Sequence, residues 1–161
     1  QDIASALATI IAVDGRSTLQ THLDNAFPGA DLQILMDERT VSMQLKMSEF
    51  ARPFSARELS DGTLQYLCLL AALLTPRPPN LLVLNEPETS VHPDLFHPIA
   101  DLIVEASKRS QIVVTTHATE LAARIQKLSG VQPVELEKID GETRIVGVGL
   151  VDRDDDEDEG N

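Results

Sequence analysis

The chain has 161 residues, of which 42% are hydrophobic and 3% aromatic, and its formal net charge is −13. This length predicts one domain with a core of aliphatic side chains. The acidic balance excludes a broad nucleic-acid surface, which would need clustered lysine and arginine. The longest apolar helical run, Leu64 to Leu74, is too short to cross a bilayer, and no secretory leader is recognisable at Gln1, so a cytoplasmic protein is expected.

Apolar residues recur at helical spacing near the start of the chain and then alternate with polar residues. A continuous apolar run follows and predicts a helix that is buried on all sides. Its single cysteine, Cys68, is therefore expected to be buried rather than reactive. The predicted elements of this part are helices over residues 2–13 and 17–26, a hairpin of strands 31–37 and 40–47, a polar connection over 48–59 and the buried helix over 63–74.

Ser60, Asp61 and Gly62 lie directly before the predicted buried helix. A serine and a glycine at a helix entrance supply a hydroxyl, exposed backbone N–H groups and the positive end of the helix dipole, which are the parts of an anion site. The alternative is a simple N-cap, in which Ser60 or Asp61 accepts hydrogen bonds from the first N–H groups of the helix. Both interpretations put the segment at the start of a helix.

A short apolar run, Leu81 to Leu84, ends abruptly at Asn85 and Glu86, and Pro87 then stops it. Such a run is typical of a buried parallel strand, and open α/β sheets bind their ligands at the carboxyl ends of the strands. Glu86 is therefore a candidate functional carboxylate, with an ordinary strand end and a solvated turn as the alternative.

The rest of the chain predicts a second strand of this kind, which ends just before Thr116 and His117, and a hairpin centred on Asp140-Gly141. Residues 1–151 are expected to form the folded part. From Asp152 onwards seven acidic residues accompany one arginine, so residues 152–161 are expected to form a disordered tail. The predicted elements are helices over 93–108 and 119–127, the strand 111–115, and hairpin strands 134–139 and 143–148.

The order and spacing of these segments resemble the ABC-type ATPases. Ser60-Asp61-Gly62 resembles their signature loop, Leu81 to Glu86 resembles their Walker B strand, and His117, 31 residues beyond Glu86, resembles their switch histidine. The continuation from Glu86 to Pro93, Glu-Pro-Glu-Thr-Ser-Val-His-Pro, is similar to the soluble RecF/SMC-like branch, often labelled AAA-family ATP-binding proteins. Membrane transporter subunits, a third possibility, tend to have a different continuation.

The resemblance implies an α/β fold: part of a P-loop NTPase sheet with flanking helices and hairpins, which forms the C-terminal half of the ATPase domain. It also implies ATP and Mg²⁺ as cofactors. Glu86 would act as general base, His117 would contact the γ-phosphate, and Ser60 with Gly62 would contact the nucleotide of a second subunit. The other implied site residues are Asp61 in the signature loop, Asn85 as a weak metal contact through water, and Glu88, Thr89, Ser90 and His92 in the loop that couples the subunits.

The phosphate loop of P-loop enzymes, Gly-x-x-x-x-Gly-Lys-Ser/Thr, does not occur in the chain, and Gly15-Arg16-Ser17-Thr18 is only a partial imitation. In the family this loop precedes the signature loop, so we expect a piece of a longer protein, inactive alone as an ATPase. The whole protein is expected to act as a homodimer that binds ATP between its two subunits, with no membrane partner. Its expected role is DNA maintenance or defence, with DNA bound through its other parts.

Asn85 departs from the family pattern, which usually has aspartate at this position. A neutral amide supplies no charge, and hard cations favour carboxylates. A second hypothesis is therefore a non-hydrolysing switch, in which ATP controls only dimerisation and interaction.

Overall fold

The computed structural model describes residues 2–139 and 141–146. In this part the chain has five α-helices and three separate small sheets, divided between one compact unit, Gln1–Val131, and a second, Gln132–Asn161. The helices are α1 (Ile3–Asp14), α2 (Arg16–Ala26), α3 (Asp61–Leu73), α4 (Phe96–Ser107) and α5 (Thr119–Ser129). The strands are β1 (Asp31–Met36), β2 (Val41–Lys46), β3 (Phe54–Ser55), β4 (Leu81–Asn85), β5 (Gln111–Thr115), β6 (Leu136–Ile139) and β7 (Glu142–Ile145).

The first predicted hairpin is confirmed, since β1 and β2 pair antiparallel with Met36 opposite Val41. The Asp37 carboxylate closes the turn by accepting hydrogen bonds from the amides of Arg39 (2.8 Å) and Thr40 (2.9 Å). The polar connection predicted over 48–59 contains structure that the sequence did not predict. This segment contains β3, which pairs with β2, and a 3-10 turn over Ala56–Glu58. A two-residue strand is too short to produce a sequence period.

The core of the first unit lies where α1, α2, β1 and β2 pack against α3 and α4. Tyr66 is fully buried there, and its hydroxyl donates a 2.7 Å hydrogen bond to the His22 carbonyl. Burial of each large aliphatic side chain contributes about 1.5–3 kcal/mol. The fully buried aliphatic side chains include Leu7, Ile10, Leu19, Leu23, Leu32, Leu45, Leu67, Leu70, Leu73, Ile99, Leu102 and Leu121.

The prediction that the apolar helix is buried on all sides is wrong. Cys68 and Ala72 of α3 are exposed, and they lie four residues apart on one stripe of the helix. The described residues pack against only the other side of α3, so an apolar sequence does not by itself bury every face. The expectation that Cys68 is buried is corrected with it.

The strands β4 and β5 pair in parallel, with Leu84 opposite Val114 and Asn85 opposite Thr115. This confirms parallel pairing and brings the two carboxyl ends to one edge of the sheet. The described residues cover only one face of this sheet. On the other face Val83 is 59% exposed and Leu81 is 51% exposed. Complete burial of the strand was therefore a wrong expectation.

The second unit contains the predicted hairpin of β6 and β7, with Ile139 opposite Glu142. Gly141 has a φ of +89° in the turn, a conformation that glycine adopts without a steric penalty. The acidic tail predicted over 152–161, and the domain boundary placed before it, lie outside the described residues. Among the described helices, none combines the length and apolar character needed to cross a membrane.

Candidate functional site

The carboxyl ends of β4 and β5 are joined by side-chain and backbone hydrogen bonds. The Thr115 hydroxyl donates to Oδ1 of Asn85 at 2.8 Å, and the Glu86 amide donates to the Thr115 carbonyl at 2.9 Å. The ladder of the sheet is thereby extended by one residue beyond β4. This pairing holds Glu86 at the edge where open α/β sheets bind ligands.

Glu86 adopts an unusual backbone conformation, with a φ of +46°. Residues other than glycine rarely enter this left-handed region, and holding one there costs about 1–3 kcal/mol. The Thr89 amide donates to the Glu86 carbonyl at 3.0 Å and closes the turn that follows. We call residues Glu86–Val91 the acidic turn. Its first residue is held in a strained conformation at the strand end.

The two predicted catalytic residues are in contact. Oε1 of Glu86 lies 3.2 Å from Nε2 of His117, which comes from the loop after β5. The imidazole is 88% exposed and the carboxylate 42% exposed, so both groups are accessible to solvent and to a ligand. A carboxylate in this position can orient or deprotonate a water molecule, and an imidazole can donate a hydrogen bond to a phosphate oxygen.

Glu88 binds the backbone of the loop that carries the histidine, which we call the histidine loop (Thr116–Ala118). Its Oε1 accepts hydrogen bonds from the Thr116 hydroxyl, the His117 amide at 2.9 Å and the Ala118 amide at 3.3 Å. Partial burial raises the pKa of the Glu88 carboxyl, but these hydrogen bonds outweigh it and hold the pKa below its ordinary value. The ionised Glu88 side chain therefore stabilises the histidine loop.

The signature-like loop (Ser60–Gly62) begins α3 with a side-chain cap. Oγ of Ser60 accepts a hydrogen bond from the Thr63 amide at 3.2 Å and lies 2.9 Å from the Thr63 hydroxyl. The N-cap interpretation of Ser60 is therefore correct for this structure. Asp61 is exposed in the first turn, where a carboxylate interacts favourably with the helix dipole.

Gly62 lies against the acidic turn. A Cβ at this position would lie 2.7 Å from the Ser90 carbonyl oxygen and 3.3 Å from Cα of Val91. Ser90 itself has a φ of +68°. Because only glycine allows this close approach, α3 and the acidic turn form one packed unit.

The signature-like loop and the end of the acidic turn border one groove of about 690 Å³. His92 lies on its rim, where Nδ1 accepts a hydrogen bond from the Asp94 amide at 3.3 Å. The structure thus separates the predicted site residues into two groups, which the acidic turn connects. Ser60, Asp61, Gly62, Ser90 and His92 line the groove, whereas Asn85, Glu86 and His117 lie at the strand ends outside its lining.

Two residues of the strand-end group were not identified from the sequence as functional. Thr115 fixes the amide of Asn85, and Thr116 donates to Glu88. The hydroxyl residues directly before His117 were the only signal, and their partners lie about 30 residues earlier in the chain.

The donor set of the described residues does not fit a resident Mg²⁺ by itself. Within residues 2–139 and 141–146, no group of three or more His, Cys, Asp or Glu side chains is arranged to hold a metal ion. Asn85 is uncharged, and its Oδ1 already accepts a hydrogen bond from Thr115. Hard divalent cations prefer carboxylate oxygens.

The fold around the site is that of an SMC ATPase head. A solved chain from work on ATP-driven dimerization and DNA-stimulated activation of SMC ATPases matches with a TM-score of 0.64 and 16% identity, over 84% of this chain and 88% of that chain. The Smc head domain of Pyrococcus yayanosii, with a coiled coil and joint, matches with a TM-score of 0.67 and 16% identity, over 89% and 27%. At this identity the similarity concerns the fold, and it confirms the predicted partial P-loop NTPase architecture.

A family model described as "AAA domain, putative AbiEii toxin, Type IV TA system" matches residues 16–123. The chain therefore belongs to this AAA-domain family. The match includes the signature-like loop, the acidic turn and the histidine loop. The resemblance to AAA-family ATP-binding proteins is confirmed.

Curated relatives are also named as ATP-binding proteins. The phosphate import ATP-binding protein PstB of Streptomyces coelicolor (strain ATCC BAA-471 / A3(2) / M145) is 37% identical over 94 residues, which are 54% of this chain and 36% of the relative. The phosphate import ATP-binding protein PstB 3 of Streptococcus pneumoniae serotype 4 (strain ATCC BAA-334 / TIGR4) is 37% identical over 71 residues, or 44% and 28%. The chain thus spans about a third of the length of these relatives.

Proposed function

We propose that the protein containing this chain binds ATP between two head-to-tail copies and hydrolyses it with Glu86. The observation that carries the proposal is the 3.2 Å contact between Glu86 and His117 at the carboxyl ends of β4 and β5, in a chain of the AAA-domain family. The ATP-binding names of the curated relatives support the same class. We do not assign their phosphate-import role to this protein, because the match covers only about a third of each relative.

In the proposed reaction Glu86 orients a water molecule and accepts its proton as the water attacks the γ-phosphorus. The bond from this phosphorus to the β,γ-bridging oxygen breaks, and ADP leaves. His117 donates a hydrogen bond to a γ-phosphate oxygen, and its contact with Glu86 keeps the two groups in one arrangement. Ser60 and the Gly62 backbone contact the nucleotide of the other copy, with Asp61, Ser90 and His92 at the same groove.

Phosphoryl transfer depends mostly on positioning and charge stabilisation. The chain has no Gly-x-x-x-x-Gly-Lys-Ser/Thr loop to hold the phosphates, so we propose that the 161 residues alone release no phosphate at a measurable rate. Mg²⁺ is assigned mainly to groups of the longer protein, with Asn85 contributing a weak contact through water.

The proposed setting is a cytoplasmic protein of DNA maintenance or defence. The structurally similar SMC ATPases are described as undergoing ATP-driven dimerization and DNA-stimulated activation, which supports a dimer and a DNA-linked role. Because this chain has a net charge of −13, which would repel the DNA phosphates, we propose that other parts of the protein contact DNA.

A second candidate is a non-hydrolysing switch, in which ATP controls dimerisation alone. The favouring observation is Asn85, a neutral side chain whose oxygen is occupied by the Thr115 hydroxyl. Such a site would bind nucleotide with weak metal dependence.

Glu86→Gln in the intact protein tests the proposal, with steady-state phosphate release and ATP-dependent dimerisation as the measurements. If Glu86 takes part in hydrolysis, the variant should still bind ATP, its turnover should fall by roughly a hundredfold or more, and ATP-bound dimers should accumulate. Glu105→Gln is the matched control and should keep full turnover, because Glu105 is a partly exposed glutamate near the end of α4, away from the strand ends. Equal turnover in wild type and Glu86→Gln would remove Glu86 from the mechanism.

Asn85→Asp separates the two candidates. Under hydrolysis the added charge should tighten the Mg²⁺ dependence and leave turnover unchanged or raised. Under the switch hypothesis wild type shows no turnover, and ATP dimerises wild type and Glu86→Gln alike.

A further inference from the structure

The acidic turn contains a second carboxylate whose contacts are directed away from the groove. Glu88 comes two residues after Glu86, and its Oε1 receives the hydroxyl of Thr116 and the amides of His117 and Ala118. All three donors belong to the histidine loop. A side chain that only faced a second subunit would not need these contacts.

Both carboxylates of the acidic turn contact His117, one at its side chain and the other at its backbone. Glu86 contacts the imidazole of His117 at 3.2 Å, and Glu88 accepts the backbone amide of the same residue at 2.9 Å. The imidazole is 88% exposed, so packing does not hold it in place. Its position relative to Glu86 must come mainly from the backbone of the histidine loop.

The loop has few other anchors. The helix α5 begins at Thr119, and its N-cap residue, Ala118, has no side chain that can cap the helix. The Glu88 carboxylate takes that place, because it accepts the Ala118 amide and puts negative charge at the positive end of α5. The Thr116 hydroxyl adds a 3.0 Å hydrogen bond from the Ala118 amide.

We propose that Glu88 is a positioning residue, which clamps the histidine loop so that His117 faces Glu86 in the geometry needed for hydrolysis. This inference rests on the proposed ATPase function. Glu88 touches neither water nor nucleotide in this role, and it acts through His117. Removing it frees the loop and misplaces the imidazole, while the site that binds nucleotide keeps its shape.

The first measurement is hydrogen–deuterium exchange of the peptide covering residues 115–119 in the intact protein. Glu88→Ala should speed exchange of the His117 amide by about tenfold or more, because this amide loses its acceptor. The Ala118 amide should be affected less, because the Thr116 hydroxyl still accepts its hydrogen bond. Glu88→Gln should restore most of the protection, since its amide oxygen can still accept the three hydrogen bonds. Glu105→Ala is the matched control and should leave this peptide unchanged.

The second measurement is ATP turnover of the same variants. Glu88→Ala should lower kcat by about tenfold to a hundredfold, the cost of a misplaced catalytic group, with the KM for ATP within about twofold of wild type. Glu88→Gln should recover most of kcat. A role in nucleotide binding would instead raise KM and leave kcat unchanged, and that result would overturn the proposal.

The exchange measurement needs no turnover, so it tests the clamp even in a protein that hydrolyses no ATP. Absence of turnover in wild type would reject the ATPase function, whereas unchanged exchange in Glu88→Ala would reject the clamp. Thr116→Val, which keeps the side-chain shape and removes the hydroxyl, covers the case in which Glu88→Ala does not fold. Because it removes one of the hydrogen bonds between Glu88 and the loop, it should speed exchange at the His117 amide, whose acceptor is Glu88. Unchanged protection of His117 would count against the clamp.

Discussion

Replacing Gly62 by alanine is expected to destabilise the chain, although alanine favours helices. The new Cβ would lie 2.7 Å from the Ser90 carbonyl oxygen and 3.3 Å from Cα of Val91. Both are backbone atoms, so they cannot rotate aside as a flexible side chain would. Overpacking of this kind costs about 1–3 kcal/mol, and the helix preference of alanine over glycine offsets at most about 1 kcal/mol. Because both clashing atoms are backbone, the overpacking cost should lie near the upper end of this range, and we expect a net loss of about 2 kcal/mol in the free energy of unfolding.

The assay is urea denaturation of wild type and variant, with the free energy of unfolding obtained from midpoint and slope. Gly130→Ala is the control, because Gly130 has a φ of +75° but no atom within 4 Å of its added Cβ. It should lower stability through backbone strain alone. Only Gly62→Ala should also speed hydrogen exchange at the Thr89 and Val91 amides, which close the acidic turn.

A Gly62→Ala protein as stable as wild type, or more stable, would refute the reasoning. It would mean that helix preference exceeds the clash and that α3 does not need its close approach to Ser90. Faster exchange in the acidic turn of Gly130→Ala would also count against a local effect.

Two further predictions concern groups outside the proposed site. Burial lowers the pKa of His22, although the charges of Glu105 and Asp101 act to raise it. As the pH falls, His22 of the unfolded chain is therefore protonated before His22 of the folded chain. The free energy of unfolding should then decrease as the pH drops below about 6.5. Urea midpoints between pH 7 and 5 should show a weaker pH dependence in His22→Leu, and an identical dependence would contradict this origin. Cys68 is exposed, while partial desolvation raises the pKa of its thiol. Maleimide should label it in the native chain, faster as the pH rises, and labelling only after unfolding would contradict its exposure.

Patterns between neighbours in the sequence determined most of the local structure. The apolar period of α1, the alternation of β1 and β2 around Asp37 and the Asp140-Gly141 turn signal each identify an element from residues a few positions apart. The apolar run that ends at Asn85 and Glu86 likewise identified β4 and the position of the candidate carboxylate. The chemistry of these elements depends on residue type and local spacing, both of which are visible in the sequence.

Contacts between distant residues were decided only by the tertiary structure. Glu88 meets the histidine loop across 28 to 30 residues of sequence, and Gly62 of α3 approaches Ser90 of the acidic turn. The exposure of Cys68 depends on which side of α3 the rest of the chain covers. No sequence period encodes these features, because each depends on how separate elements pack. The sequence alone determined which residues could carry the chemistry, and packing decided which of them meet.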